Sequence, residues 1–319
     1  MEHYVTLFDG NFLPQGLALS ESLERHAGDH VLWVLCLDDC ARQALDDLAN
    51  PNLRTIPLTE VETSELLVVK PERSHAEYYW TLTPFAPHFV FARDASVKRV
   101  TYLDADLFLL KSPRPIFEEF DVSGKSVLIT EHAYDAEYDQ SATSGRFCVQ
   151  FITFVRDTSE PVRSWWAERC LEWCFARSED GKFGDQKYLD DWPDRFPNHV
   201  HVLQQEDAIL APWNARRFPY SKAIAWHFHG LRIDGNRIQW YIKYPVPRIT
   251  EKMIYEPYVA LLESIISNLK MSFKQGRESK FEALRKQVKH FGIVARLFRR
   301  RKVSSMKNFR GESLNVRSS

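Results

Sequence analysis

The stretch RVTYLDADLFLLKSP, residues 99–113, runs apolar to Leu103, turns acidic at Asp104 and Asp106, and runs apolar again through Leu110. The first run, rich in β-branched and aromatic residues, reads as a buried strand. Its carboxyl end therefore meets two carboxylates two residues apart. In open parallel sheets ligands gather outside the carboxyl ends of the strands. Carboxylates at i and i+2 in such a place can both reach one divalent cation, and oxygen-rich ligation suits Mg²⁺ or Mn²⁺. A bare D-x-D also occurs as a solvated turn, so the assignment depends on what the rest of the chain brings to it.

Upstream, YVTLF (4–8) and HVLWVLCL (30–37) read as buried strands. Between them LPQGLALSESLERHAG has the leucine spacing of a helix, with Gly28 as its stop. DDCARQALDDLANP follows as a helix capped at Asp38 or Asp39, and LRTIPL as a short strand. Strand, helix, strand, helix, strand is the order of a parallel α/β sheet. Further on, EYYWTLTPFAPHFVFARD predicts a helical pair interrupted at Pro84 and Pro87. SVLIT (126–130), VQFITFVR (149–156), HVHVLQ and AIAWHFHG (223–230) predict strands, EPVRSWWAERCLEWCFARS a long helix and DQKYLDDW a helical segment.

With 319 residues, 44% hydrophobic and 27% charged, the chain has the composition of an ordinary globular protein of one large or two ordinary domains. No apolar run reaches the length of a membrane-spanning helix. MEHYVTLFDGNFLPQG does not read as a secretory signal, so a cytoplasmic location is expected. The five cysteines, Cys36, Cys40, Cys148, Cys170 and Cys174, an odd number, fit that location, and Cys170 and Cys174, four apart in the expected helix, fit buried reduced thiols better than a metal pair. The net charge of −1 hides an asymmetry: from Lys270 onward there are 15 Lys/Arg and 3 Asp/Glu, against 27 and 40 in the rest. In FEALRKQVKHFGIVARLFRRRK, Phe281, Leu284, Val288, Phe291, Val294 and Phe298 form one helical face, and Arg285, Lys286, Lys289, Arg296 and Arg299 another. Such a basic amphipathic helix suits an anionic membrane surface. Nucleic acid is the weaker alternative, because no binding module is recognisable. The expected layout is a catalytic domain over 1–247, a basic helical extension over 248–302 and a disordered tail over 303–319.

Three more segments bear on the acidic pair. In AWHFHGLR, His227 and His229 alternate along a strand and so share a face, from which either could ligate a cation. In GKFGDQKYLDDWP, Gly181 and Gly184 bracket a turn that presents Asp185 and Gln186, although Asp185 could serve only as a helix cap. In ILAPWNARR, Trp213 and Asn214 could contact a sugar or form a packing turn.

TLFDGNFLPQGLALSESL, YLDADLFLLKSP, GKFGDQKYL, APWN and HFHG occur in this order over about residues 4–235. As an ordered set they resemble the GT-A fold nucleotide-sugar glycosyltransferases, and are most similar to the retaining family 8 type and its bacterial relatives. The resemblance implies a GT-A (Rossmann-like) α/β fold: a mixed, mostly parallel sheet flanked by helices. It implies that Thr6, Phe8, Asp9 and Asn11 border the nucleotide, and that Asp104, Asp106 and His227 bind Mn²⁺ or Mg²⁺, with His229 as second choice for the histidine. Asp104 would also lie near the ribose or donor sugar, and Asp185 and Gln186 would be the catalytic acid–amide pair facing that sugar. The donor implied is a UDP-sugar and the acceptor a glycan or lipid-linked glycan. Together with the basic helix, this implies peripheral attachment to the inner face of the plasma membrane and work in surface polysaccharide synthesis.

The chain also departs from that pattern. Where the family often has an arginine before the D-x-D strand, Tyr78, Tyr79 and Thr81 stand instead. Cys148 replaces a usual asparagine, with Gln150 as the nearest amide, and Arg232 is the nearest cation in place of a missing lysine. Two rival readings follow: a catalytically inactive nucleotide-sugar-binding protein of the same fold, and a phosphatase with an aspartate nucleophile. Leu107 and Phe108 after the pair disfavour the phosphatase, where a Thr or Val and a turn would be expected.

Overall fold

The computed structural model describes residues 1–234, 237–240 and 243–270. The chain divides into units 1–265 and 266–319; of the second, residues 266–270 are helical. The expected basic helix over 281–298 and the tail lie outside the described residues.

The first unit opens with strand β1 (Glu2–Phe8), helix α1 (Leu13–His26), β2 (His30–Cys36), α2 (Asp39–Asp47) and β3 (Leu53–Pro57). Asp38 caps α2 by accepting from the Ala41 backbone N–H at 2.8 Å. Gly28 follows α1 with φ of 69°, the left-handed stop expected there. Next come α3 (Ser64–Val69), α4 (His75–Leu82), a 3₁₀ turn at Thr83–Phe85 and α5 (Ala86–Arg93). The prolines thus interrupt the helical pair where the sequence places them.

The acidic stretch forms β4 (Arg99–Leu103), a turn and β5 (Leu107–Leu109). Helix α6 (Arg114–Ser123), β6 (Val127–Glu131), a one-turn helix, β7 (Phe147–Val155) and α7 (Glu160–Glu172) follow. This last helix is shorter than the sequence predicts. Trp173 is already extended, and its carbonyl accepts from the Tyr188 hydroxyl at 2.8 Å, so Cys174 turns into the core beyond the helix end. The unit continues through β8 (Val200–Val202), β9 (Ile209–Leu210), β10 (Ala225–His227), β11 (Leu231–Asp234) and β12 (Arg237–Trp240). The expected strand over 223–230 is therefore only three residues long, and His229 lies past its end in the turn to Gly230, whose φ is 82°.

The main sheet has the order β3-β2-β1-β4-β7-β6-β8, with β7 antiparallel to both neighbours and the remaining pairs parallel. This is the GT-A arrangement. Chain order reverses between β1 and β4, so their carboxyl ends flank the crevice where such sheets bind ligands. One core cluster packs Val5, Trp33, Leu35 and Val100 against Leu66, Tyr78, Leu82 and Val90 from α3–α5. Another packs Ile129, Ile152 and Phe154 against Trp166 of α7 and Trp192. Phe8 lies on α1 at Gly16, where any Cβ would stand 2.3 Å from the ring.

A smaller sheet, β5-β10-β9, brings a distant segment to the acidic turn. Its register sets His227 opposite Leu107, and the Phe228 N–H donates to the Asp106 carbonyl at 2.9 Å. Behind it, residues 248–265 supply Ile254, Tyr255, Tyr258 and Leu262 to a core shared with Phe108, Trp226 and Phe228. Among the described residues no helix is long and apolar enough to cross a membrane.

Candidate metal centre

The β4–β5 turn holds Asp104 and Asp106, and β10 delivers His227. One ligand atom from each lies within 4.8 Å of the others, the one such group among the described residues. His227 Nε2 stands 3.1 Å from Asp106 Oδ1 and 3.7 Å from Asp104 Oδ2. Pairing across the smaller sheet brings the buried His227 to the carboxylates, while His229 is more exposed. The backbone is pinned on both sides, since the Asp104 N–H donates to the Gln150 carbonyl at 3.1 Å and the Leu107 N–H to the Asp104 carbonyl at 3.0 Å.

Burial pushes the Asp104 carboxyl up to about 6, against the pull of His227, while the Asp106 charge adds to the rise. Burial also opposes ionisation of Asp106, but the His227 charge and hydrogen bond outweigh it and hold this carboxyl below its ordinary value. The imidazole responds in kind: burial would lower it, yet Asp106 in particular, with Cys148 and Asp104, raises it well above the usual range. His229, desolvated and beside that charge, falls to about 4. The cluster therefore concentrates negative charge around one point, at which the His227 proton sits. Two carboxylate oxygens and one imidazole nitrogen are a donor set that fits Mn²⁺ or Mg²⁺ in its place.

Around this centre the expected residues divide. Asp185 is buried, its Oδ2 has no hydrogen-bond partner, and burial raises its carboxyl to about 7, with Asp104 adding to the rise and Thr83 opposing it. It caps no helix: a 3₁₀ turn starts at Lys187, after Gln186. Gln186 directs its amide to the Ser144 carbonyl at 2.6 Å. Asp9 and Asn11 form a closed turn after β1, with Asn11 donating backbone and side-chain N–H to the Asp9 carboxylate at 2.9 and 3.1 Å. Thr6 is fully buried with an unpartnered hydroxyl, and Phe8 is buried on α1. Tyr78 is a core residue whose hydroxyl donates to Glu62 at 2.7 Å, and Thr81 is engaged by Arg73 and by the Glu77 carbonyl. The tyrosine of α4 that reaches the crevice is Tyr79, whose hydroxyl lies 3.4 Å from Asp9 Oδ2. Arg232 is exposed on β11 and is among the charges acting on His229.

Sequence reasoning left out one support, Tyr102, and left the role of another, Trp213, between a sugar contact and a packing turn. Tyr102, two residues before Asp104 and thus on the same face of β4, donates its hydroxyl to Asp104 Oδ1 at 3.0 Å. Trp213 stands edge-on to His227 with ring centroids 5.3 Å apart. Its indole N–H and the Asn214 amide both donate to the His132 carbonyl, at 2.9 and 3.0 Å, so APWN works as a buttress of the imidazole.

No protein-family model matches the chain. Among curated proteins, YfnF of Bacillus subtilis (strain 168) is 30% identical over 285 residues, covering 83% of this chain and 93% of YfnF. The chain belongs to the YfnF family. YfnD of the same organism is 28% identical over 293 residues, covering 85% of this chain and 92% of YfnD. Among solved structures, the glycosyltransferase GlyE of Streptococcus pneumoniae TIGR4 superposes with a TM-score of 0.52 at 15% identity. The alignment covers 86% of this chain and 64% of GlyE, so the chain spans less than two thirds of that protein. This likeness establishes that the YfnF-family chain shares the fold of a glycosyltransferase.

Proposed function

We propose that the protein is a metal-dependent glycosyltransferase that moves a sugar from a nucleoside diphosphate donor to a glycan or glycolipid acceptor. The observation that carries this reading is the Asp104–Asp106–His227 cluster at the strand-order reversal of a GT-A sheet. The finer assignment is a UDP-hexose or UDP-N-acetylhexosamine donor and transfer with retention, in bacterial surface polysaccharide synthesis. It is supported by the ordered motifs of the sequence and by the buried Asp185 carboxyl, on which the Asp104 charge acts.

The hard step is breaking the bond from the anomeric carbon to the diphosphate. A bound divalent cation supplies Lewis acidity for the charge that gathers on the departing phosphate. Asp104, Asp106 and His227 hold the ligand atoms in place, braced by Tyr102, Gln150 and Trp213. Losing a group that stabilises such charge typically costs about 3–4 kcal/mol in the barrier. Asp185 offers a buried acceptor to a sugar hydroxyl or to positive charge developing on the ring. With no second nucleophile named at the centre, the reading is front-face transfer, in which the leaving phosphate helps to deprotonate the acceptor.

The deciding experiment is a screen of nucleotide-sugars for donor hydrolysis, with and without Mn²⁺. Release of the nucleotide from one donor, dependent on Mn²⁺, supports the reading; no hydrolysis and no binding of any donor refutes it. Retention is checked by proton NMR of the product linkage, where a β product from an α-linked donor refutes it. Peripheral membrane attachment through the basic segment is tested by deleting residues 271–319. Undiminished binding of the shortened protein to anionic vesicles refutes it.

A further inference from the structure

Gln150 sits where β7 leaves its regular pairing. Its neighbour Phe151 still pairs with Leu103, but the register with β6 jumps from Leu128↔Thr153 to Thr130↔Cys148. Such irregularities re-aim side chains beside functional sites. The side chain is fully buried, with Oε1 2.7 Å from His227 Nδ1 and Nε2 without any partner.

Each half of this amide has a chemical consequence. A histidine that gives Nε2 to a cation must carry its proton on Nδ1, and that proton needs an acceptor. Gln150 Oε1 is that acceptor at hydrogen-bonding distance, so it selects the ligating tautomer and fixes the ring plane. The amide oxygen being committed, Nε2 is left as a buried donor with nothing to receive it. Leaving such a donor unsatisfied carries a free-energy penalty.

We propose that Gln150 is the positioning residue of this centre, locking His227 for the cation through its amide oxygen. The inference rests on the reading of the cluster as the cation site of a nucleotide-sugar enzyme.

The test uses the full chain and two variants. Gln150→Met keeps the volume and removes the hydrogen bond to His227; Gln150→Glu keeps an acceptor there. Mn²⁺ affinity is read by electron paramagnetic resonance without nucleotide, with circular dichroism confirming the fold. Gln150→Met should bind Mn²⁺ about 10–100-fold more weakly. Gln150→Glu should bind Mn²⁺ at least as tightly as the wild type. Mn²⁺ affinity of Gln150→Met within twofold of wild type overturns the positioning role. Should Gln150→Met misfold, weaker Mn²⁺ binding by a folded Gln150→Glu overturns the acceptor argument by itself. If the wild type itself fails to bind Mn²⁺, the underlying metal reading falls, a result seen without either variant.

Discussion

The ring of Phe228 lies face to face with that of Tyr258, centroids 3.5 Å apart and planes within 6°. Phe228 follows His227 directly, and its N–H is bonded to the Asp106 carbonyl. Tyr258 belongs to the helical segment at the end of the first unit, so that segment clamps the strand carrying the imidazole. Tyr258→Ala removes a buried aromatic side chain and should cost about 3–5 kcal/mol of stability. The expected outcome is a marked drop in Tm together with weaker Mn²⁺ binding. A lower Tm with unchanged Mn²⁺ affinity would separate the clamp from the centre.

Asp106→Ala removes the carboxylate nearest His227 Nε2. Turnover with the active donor should fall at least about 100-fold, the size expected when about 3 kcal/mol of charge stabilisation is lost. Steady-state kinetics over a Mn²⁺ series check this, and near-normal rates with normal metal dependence would remove Asp106 from the centre.

Asp185 makes the metal-free protein sensitive to pH in a defined direction. Burial raises its folded carboxyl to about 7 from an ordinary value of 3.8. The stability contribution of the protonated form is complete below about pH 4 and is lost as pH rises to about 7. Asp185→Asn lacks this loss. Its stability advantage over the wild type should be negligible at pH 4 and grow to a few kcal/mol by pH 8. Urea unfolding at the two pH values measures it, and a constant difference would contradict the desolvated carboxyl.

Gly16→Ala tests the contact between β1 and α1. An alanine normally favours a helix interior over glycine by about 1 kcal/mol. Here the added Cβ would stand 2.3 Å from the Phe8 ring, so overpacking should win and destabilise the protein by about 1–3 kcal/mol. Phe8→Leu in the same chain should recover part of that loss, as thermal unfolding will show.

Much of this architecture can be read from residue patterns. The apolar runs ending at Phe8, Cys36 and Leu103 have the composition of buried parallel strands, and Asp38 and Gly28 mark helix ends by their own chemistry. The D-x-D was legible as a strand-end pair for the same reason. Less legible was anything that depends on register. His227 is chosen over His229 because β10 pairs for only three residues and stops there. Gln150 meets His227 through an irregularity in β7 that no local propensity encodes. On α4, neighbouring tyrosines part ways by helical phase alone: Tyr78 enters the core beside Glu62, while Tyr79 turns to Asp9. The end of α7 at Glu172 is set by a distant tyrosine hydroxyl, which the continuous apolar pattern through Phe175 conceals.

The three candidate ligands come from two distant chain segments, Asp104 and Asp106 from the turn that joins the main sheet to the smaller one and His227 from within the smaller one. A cation bound there would act as a removable staple between chain segments that meet only in the folded state. By mass action, a ligand held only by the folded form at one hundred times its Kd adds about 2.7 kcal/mol to stability. The melting temperature then becomes a ruler for the cation. Mn²⁺, Mg²⁺ and Ca²⁺ can be ranked by the shift each produces at matched concentration, before any sugar or acceptor has been found.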